Sequence, residues 1–288
     1  MALLCSLPHL SNPHRRRRTS ASNSYRSCRT IPNFYNPRNH SPVFLPCRRT
    51  GGQSRSIISS HLCTPETITL DRSALDIAEA VSEEELWAAA CLRIRSFHEF
   101  RDSYGIEDHR KYLAEREFEA LKERIAGTRI GFKRVSCINA TLPLSKTSIF
   151  SDDLRSTLKF SANGGDRVVV GSLDLNQCLR LPDEITGEKP EGIGADFARA
   201  YLSNVCVAKE LHRNGVASAL VAKSKRVAEE WGITDLYVHV AVDNEPAKKL
   251  YMKSGFIYEN DEPAWQARFL DRPRRMLLWI GLPSTDNL

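Results

Sequence analysis

Two stretches of this 288-residue chain hold residues whose types and spacing suit a phosphorylated ligand. The first runs Leu211-His-Arg-Asn-Gly-Val-Ala-Ser218, after an apolar run from Tyr201 to Val207. Gly215 lets the backbone take positive φ and approach a ligand closely. A helix starting there presents unpaired N–H groups and the positive end of its dipole. With Arg213 beside it, such a helix start can cradle a pyrophosphate. A nucleotide P-loop would need GxxxxGK(S/T), and a dinucleotide turn would need GxGxxG; neither occurs. The second stretch is Asn244-Glu-Pro-Ala-Lys-Lys-Leu-Tyr-Met-Lys-Ser-Gly-Phe256. Asn244 suits a helix cap, Pro246 its first turn and Gly255 its end. Asn244 and Tyr251 are two helical turns apart and share a face, which can line a groove. Each stretch also has a plain reading, as a strand-to-helix turn and as a capped helix with a core tyrosine.

The surrounding pattern must position these residues. Thr67 to Val81 reads as an opening strand and turn. Ser82 with Glu85 is a capping box, each side chain answering the other's backbone N–H, and starts a helix to about Phe100. A second helix spans about Glu107 to Ile125 and stops at Gly127. Arg134 to Leu142 is a strand, and Thr141 to Asp166 is polar and reads as a long loop. Arg167 to Leu175 is a strand, Asn176 to Phe197 a second long loop, and Arg199 to Val207 a strand. Val216 to Trp231 is an amphipathic helix. Leu236 to Val242, apolar on both faces, is a central strand. Pro246 to Lys253 is a short helix, and Phe256 to Glu259 and Arg275 to Ile280 are the last strands. This order predicts an α/β fold with helices on both faces of a mixed sheet.

The two motifs resemble those of the GNAT acetyltransferases. The family's coenzyme motif, (Q/R)-x-x-G-x-(G/A), is met by His212-Arg-Asn-Gly215-Val-Ala217, with His212 where Gln or Arg is usual. Its second motif, N-x-x-A-x-x-L-Y-x-x-x-G-F, is met at Asn244, Ala247, Leu250, Tyr251, Gly255 and Phe256. The close match covers some sixty residues, and the element order extends it to 67–282. The resemblance implies one GNAT-like domain with a central, mostly antiparallel sheet of about seven strands. It also implies acetyl-CoA as co-substrate and no metal. By analogy, two central strands splay and admit the pantetheine arm. Backbone groups of Val205, Cys206 and Val207 would bind that arm, and Arg213, Asn214, Gly215, Val216, Ala217 and Ser218 the pyrophosphate. Asn244, Glu245, Pro246 and Tyr251 would line the other side.

The implied reaction is attack of a neutral amine on the thioester. A backbone N–H near Val205 to Val207 would stabilise the oxyanion. Tyr251 matches the family's general acid for the departing thiolate. Members that use a Glu base carry it where this chain has Tyr201 or His239. His239 is therefore the candidate base, directly or through water, against the reading of a packed strand histidine. Ser203 and Asn204 are alternatives for holding a water. The pattern looks like the plant plastid enzymes that acetylate protein N-termini and lysines. The expected partners are therefore proteins or peptides. A small-amine acetyltransferase and a non-catalytic acetyl-CoA-binding regulator are the other two readings.

Charge distribution narrows the classes. The net charge of +6 would suit a nucleic-acid partner, but it belongs to one end of the chain. Residues 1–65 hold ten Arg, no Lys and no acid; the rest carries 31 Lys+Arg against 35 Asp+Glu. Residues 1–62, rich in Ser, Arg and Pro, have the composition of an organelle transit peptide. Pro8, Pro13, Pro32, Pro37, Pro42 and Pro46 interrupt the amphipathic helix of a mitochondrial leader, which favours the chloroplast. A further nuclear or cytosolic pool stays open. The eight Cys form no CxxC pair and no zinc spacing, and Cys206 is expected to pack as a small hydrophobe. No run of 18 apolar residues is present to span a membrane.

Overall fold

A computed structural model describes residues 70–100, 105–129, 131–148, 150–162, 164–178 and 198–283. The 1–62 leader and residues 179–197 of the second expected loop lie outside the described residues. The strands are β1 (Asp76–Glu79), β2 (Phe132–Pro143), β3 (Lys159–Ala162), β4 (Gly165–Cys178), β5 (Arg199–Val207), β6 (Asp235–Ala241), β7 (Ile257–Asp261) and β8 (Arg275–Gly281). The helices are α1 (Glu83–Phe97), α2 (Ile106–Ile125), α3 (Asp152–Thr157), α4 (Val216–Glu230), α5 (Glu245–Lys253) and α6 (Ala264–Phe269). The strands form one sheet in the order β1-β2-β4-β5-β6-β8-β7, with β3 paired to β4 off that path. Every neighbouring pair is antiparallel except β5 with β6.

Strand alternation divides the sheet into two faces. Gly171 on β4 faces α4: a Cβ there would stand 2.9 Å from Leu220 Cδ1 and 3.1 Å from Val216 Cγ1. Ser172 and Asp174 face the other way and bond Arg93 of α1. Trp87 and Phe118 meet edge-on at 5.6 Å and tie α1 to α2. Leu220, Val221, Val227 and Ala228 of α4 are buried in the core, each large side chain contributing about 1.5–3 kcal/mol by leaving water. Among the described residues no helix is long and apolar enough to cross a membrane.

Three expectations about local structure change. Residues 141–166 are not a loop: β2 continues to Pro143, then come a 3₁₀ turn, α3 and β3. The β3–β4 hairpin adds an eighth strand. The opening strand is shorter than 67–81, because a 3₁₀ turn at Arg72–Ala74 precedes β1. The Ser82 cap is half as expected. Ser82 Oγ accepts from Glu85 N at 3.2 Å, but the Glu85 carboxylate takes Val81 N, one residue before the cap, and Asn139 Nδ2.

Candidate active site

The two central strands part company halfway along. β5 and β6 pair from Arg199↔Asp235 to Leu202↔Val238, and among the described residues the ladder ends there. On its other edge β5 stays paired with β4 as far as Val207↔Gly171. The cause is a bulge: Ser203 opposes Asp174 and Cys206 opposes Ser172, so β5 carries one extra residue. Asn204 sits in the bulge with φ 54. Bulges bend a strand and re-aim its side chains. Here the bend opens a gap between residues 203–207 of β5 and 239–241 of β6. Val205, Cys206 and Val207 are buried along it. The Val207 carbonyl accepts from His212 Nε2 at 3.1 Å, which fixes the proton of that ring on Nε2. His212, the departure from the usual motif, thus ties the loop back onto the strand.

A buried ionic cluster holds the bulge from the α1 side. Asp174 accepts from Arg93 at 2.6 and 3.1 Å, from Arg124 at 3.1 Å and from Asn204 Nδ2 at 2.9 Å. Arg93 also reaches Ser172 and Glu117. Burial alone would raise the Asp174 pKa. The Arg93 and Arg124 guanidiniums and the Asn204 bond reverse that and hold it below the ordinary carboxylate range. Sequence reading missed this cluster. Its only signal is one arginine inside the apolar run of α1 and one aspartate inside the apolar run of β4.

On the same face, past β5, Tyr201 Oη lies 3.0 Å from His239 Nδ1. Burial, with Arg275 and Arg272 nearby, pushes His239 down to about 3 against the pull of Glu262. The imidazole is therefore neutral at any physiological pH. Glu262 itself is gripped by Arg272 and Arg275 at the root of the β7–β8 connection. Phe132 and Trp279 pack beside Tyr201 and Tyr237.

The coenzyme-motif residues gather at the start of α4. Gly215 is the N-cap with φ 82, offers no side-chain cap, and the first turn holds no acidic residue. Arg213 is also left-handed, with φ 68. Val216 is buried, whereas Ser218 is exposed. Asn214 Oδ1 accepts from Leu70 N at 3.2 Å, a contact outside any motif. An uncapped helix start with a left-handed glycine and an adjoining arginine fits a pyrophosphate.

Across the gap, α5 packs beside α4 on the face opposite α1. Lys225 donates to the Ser254 carbonyl, and a Cβ on Gly255 would touch Ile280 Cδ1 at 3.2 Å. Asn244 caps α5, accepting from Ala247 N at 3.2 Å, with Pro246 in the first turn. Glu245 pairs with Lys248 on the surface. Tyr251 is fully buried, its ring edge-on to Phe256 at 5.5 Å. The expected residues thus lie on both faces of the sheet. Tyr251 comes from the α4 face, and His239 and Tyr201 from the α1 face. Two shallow depressions near α1, β1 and β3 involve none of these residues.

The sequence profile of the acetyltransferase (GNAT) family matches residues 156–256. The chain is 69% identical over 228 residues to Arabidopsis thaliana GCN5-related N-acetyltransferase 7, chloroplastic, covering 79% of this chain and 82% of that one. It is 33% identical over 187 residues to the same plant's GCN5-related N-acetyltransferase 6, chloroplastic, covering 62% and 60%. Among solved structures, the Escherichia coli ribosomal-protein-S18-alanine N-acetyltransferase aligns with a TM-score of 0.42 at 16% identity, over 74% of this chain and 98% of that one. The chloroplast in the relatives' names accords with the composition of residues 1–62. By sequence identity over most of its length, the chain belongs to the GCN5-related N-acetyltransferase (GNAT) family and is an acetyl-CoA-dependent acetyltransferase of the plastid.

Proposed function

We propose that this enzyme acetylates protein amines, N-terminal α-amines and lysine ε-amines, with the α-amine favoured. The supporting observation is the neutral Tyr201–His239 pair beside the β5–β6 gap. A histidine held near 3 is a weak base. It suits an amine with a substantial neutral fraction, and α-amines titrate near ~7.7–8.0 whereas lysines titrate near ~10.4. At neutral pH that difference leaves the neutral lysine amine several hundredfold scarcer, by roughly 3.5 kcal/mol.

In this reading residues 67–282 are the catalytic domain and residues 1–62 its transit peptide. Acetyl-CoA supplies the activated thioester. The arm lies along Val205, Cys206 and Val207 with Asn244 opposite, and the pyrophosphate lies at Arg213 to Ser218. Glu245 and Pro246 shape the α5 end of that groove. Backbone N–H of the bulged strand polarises the thioester carbonyl. Tyr201 and His239 orient the amine, or a water that takes its proton, on the α1 face. Tyr251 donates its phenolic proton to the leaving thiolate on the α4 face.

A second reading has one observation in its favour. Phe132 and Trp279, half-exposed beside Tyr201 and Tyr237, form an aromatic patch that an aryl- or alkylamine would fit. The test is to incubate the purified chain with acetyl-CoA and a proteome-derived peptide library, and to locate new acetyl groups by mass spectrometry. Acetylated N-termini in excess of lysines are expected. No acetylated peptide, with a panel of small amines turned over, selects the second reading. Coenzyme binding without turnover of either class would leave a non-catalytic regulator.

A further inference from the structure

The loop that starts α4 has a neighbour outside both motifs. Leu70 N donates to Asn214 Oδ1, and the 3₁₀ turn Arg72–Ala74 follows at once. Asp71 caps that turn through Ser73 N and Oγ, at 3.1 and 2.6 Å, and also faces Lys146 at 3.6 Å. The turn so held sends Arg72 across to Gly215. A Cβ on Gly215 would stand 3.0 Å from Arg72 Nη2 and 3.6 Å from its Cζ. Arg72 is exposed, and no ion pair to it is found among the described residues.

For the protein alone, this is a poor place for a cation. α4 is 15 residues long with no acid in its first turn, so its N-terminal end is positive and uncompensated. Arg213, two residues before Gly215, adds a second positive charge to this loop. The Arg72 guanidinium and a helix start meet at Gly215, and Asp71, next to Arg72 in the chain, is taken by Ser73 and Lys146. What balances them is a dianion with oxygens in several directions, which a guanidinium fork binds well.

We infer that Arg72 is a coenzyme-binding residue, its guanidinium donating to the same pyrophosphate oxygens that the α4 first turn holds. The inference rests on the reading of Arg213 to Ser218 as the pyrophosphate site. It brings into that site a residue 84 positions before the matched family segment 156–256, so no motif within that segment contains it.

The test is calorimetric titration of the full-length chain with CoA, 3′-dephospho-CoA and pantetheine. Arg72→Ala should weaken CoA and 3′-dephospho-CoA alike, by about 10-fold, and leave pantetheine unchanged. Arg72→Lys, which keeps the charge but not the fork, should recover part of the loss. Ser218→Glu tests the underlying site separately. It places a carboxylate in the α4 first turn, which favours the helix but repels a phosphate. If Ser218→Glu weakens CoA and Arg72→Ala does not, Arg72 is no ligand and the pyrophosphate site stands. If neither variant weakens CoA, the site reading and the inference fall together. Equal weakening of pantetheine by Arg72→Ala would show that the residue only props the fold, and would overturn the inference.

Discussion

Toward β4, the α1 face of β5 meets Asp174, charged and enclosed by Arg93, Arg124 and Asn204. Toward β6, the same face meets Tyr201 and His239, as deeply buried but with the histidine neutral. Burial disfavours charge in both places. In the first it is overcome by two guanidiniums; in the second Arg272 and Arg275 reinforce it. The difference separates two tasks. A compensated charge cluster fixes backbone geometry, because each member is held by several others. A neutral pair leaves groups that, in the proposed reaction, would bond an approaching amine or water.

The largest effect should come from breaking the charged side. Asp174→Asn leaves two guanidiniums without their shared carboxylate, and chemical denaturation should show a loss of about 3–5 kcal/mol. A loss under about 1 kcal/mol would mean that the cluster does not hold the bulge. On the opposite face, Tyr251→Phe should cut kcat by about 10³-fold while CoA still binds. Unchanged turnover would remove Tyr251 from the reaction.

His239→Gln should lower kcat by about 10²-fold with little change in the KM for acetyl-CoA. It should also alter the pH dependence of stability. The folded pKa of about 3 lies below the ordinary 6.5, so between these values the unfolded chain binds a proton that the folded chain refuses. Stability is untouched by this group above pH 6.5 and falls as pH drops toward 3, by up to about 1.4 kcal/mol per unit. Denaturation between pH 6.5 and 4.5 should therefore be steeper for the wild type than for His239→Gln. Equal slopes would mean that the imidazole is protonated in the folded chain. The smallest effect separates the two jobs of Asn204. Asn204→Gly keeps the left-handed backbone and loses the Asp174 bond, whereas Asn204→Ala loses both. The alanine variant should be the less stable by about 1 kcal/mol.

Much of the local structure around the candidate site was legible because its residues are close in sequence and the local rules agree. Gly215 before an amphipathic run, and Asn244 and Pro246 before Tyr251, each announce a helix start. Both helices stand where expected. The β3–β4 hairpin was also announced and misread. Residues 163–164 are Asn-Gly, the commonest two-residue hairpin pair, and Ala162 pairs with Gly165 across them. Four-residue β3 simply carries too little alternation to stand out. α6 was missed for the same reason, with Trp265 and Phe269 exposed and only Ala267 buried. The Arg93–Asp174 pair and the Arg72–Gly215 approach were beyond local reading. Their partners are 81 and 143 residues apart, and only the folded sheet joins them.

The extra residue in β5 also bears on which mutations this enzyme can survive. The gap between β5 and β6 depends on a mismatch in chain length, two residues of β5 lying opposite Leu173 alone. Substitutions within Ser203 to Val205 alter the packing but preserve the count. Deleting any one of them removes the surplus and lets β5 run straight along β4, with its side chains on the same faces as before. Exchanging these residues should therefore leave the gap open, whereas shortening the strand by one residue should close it.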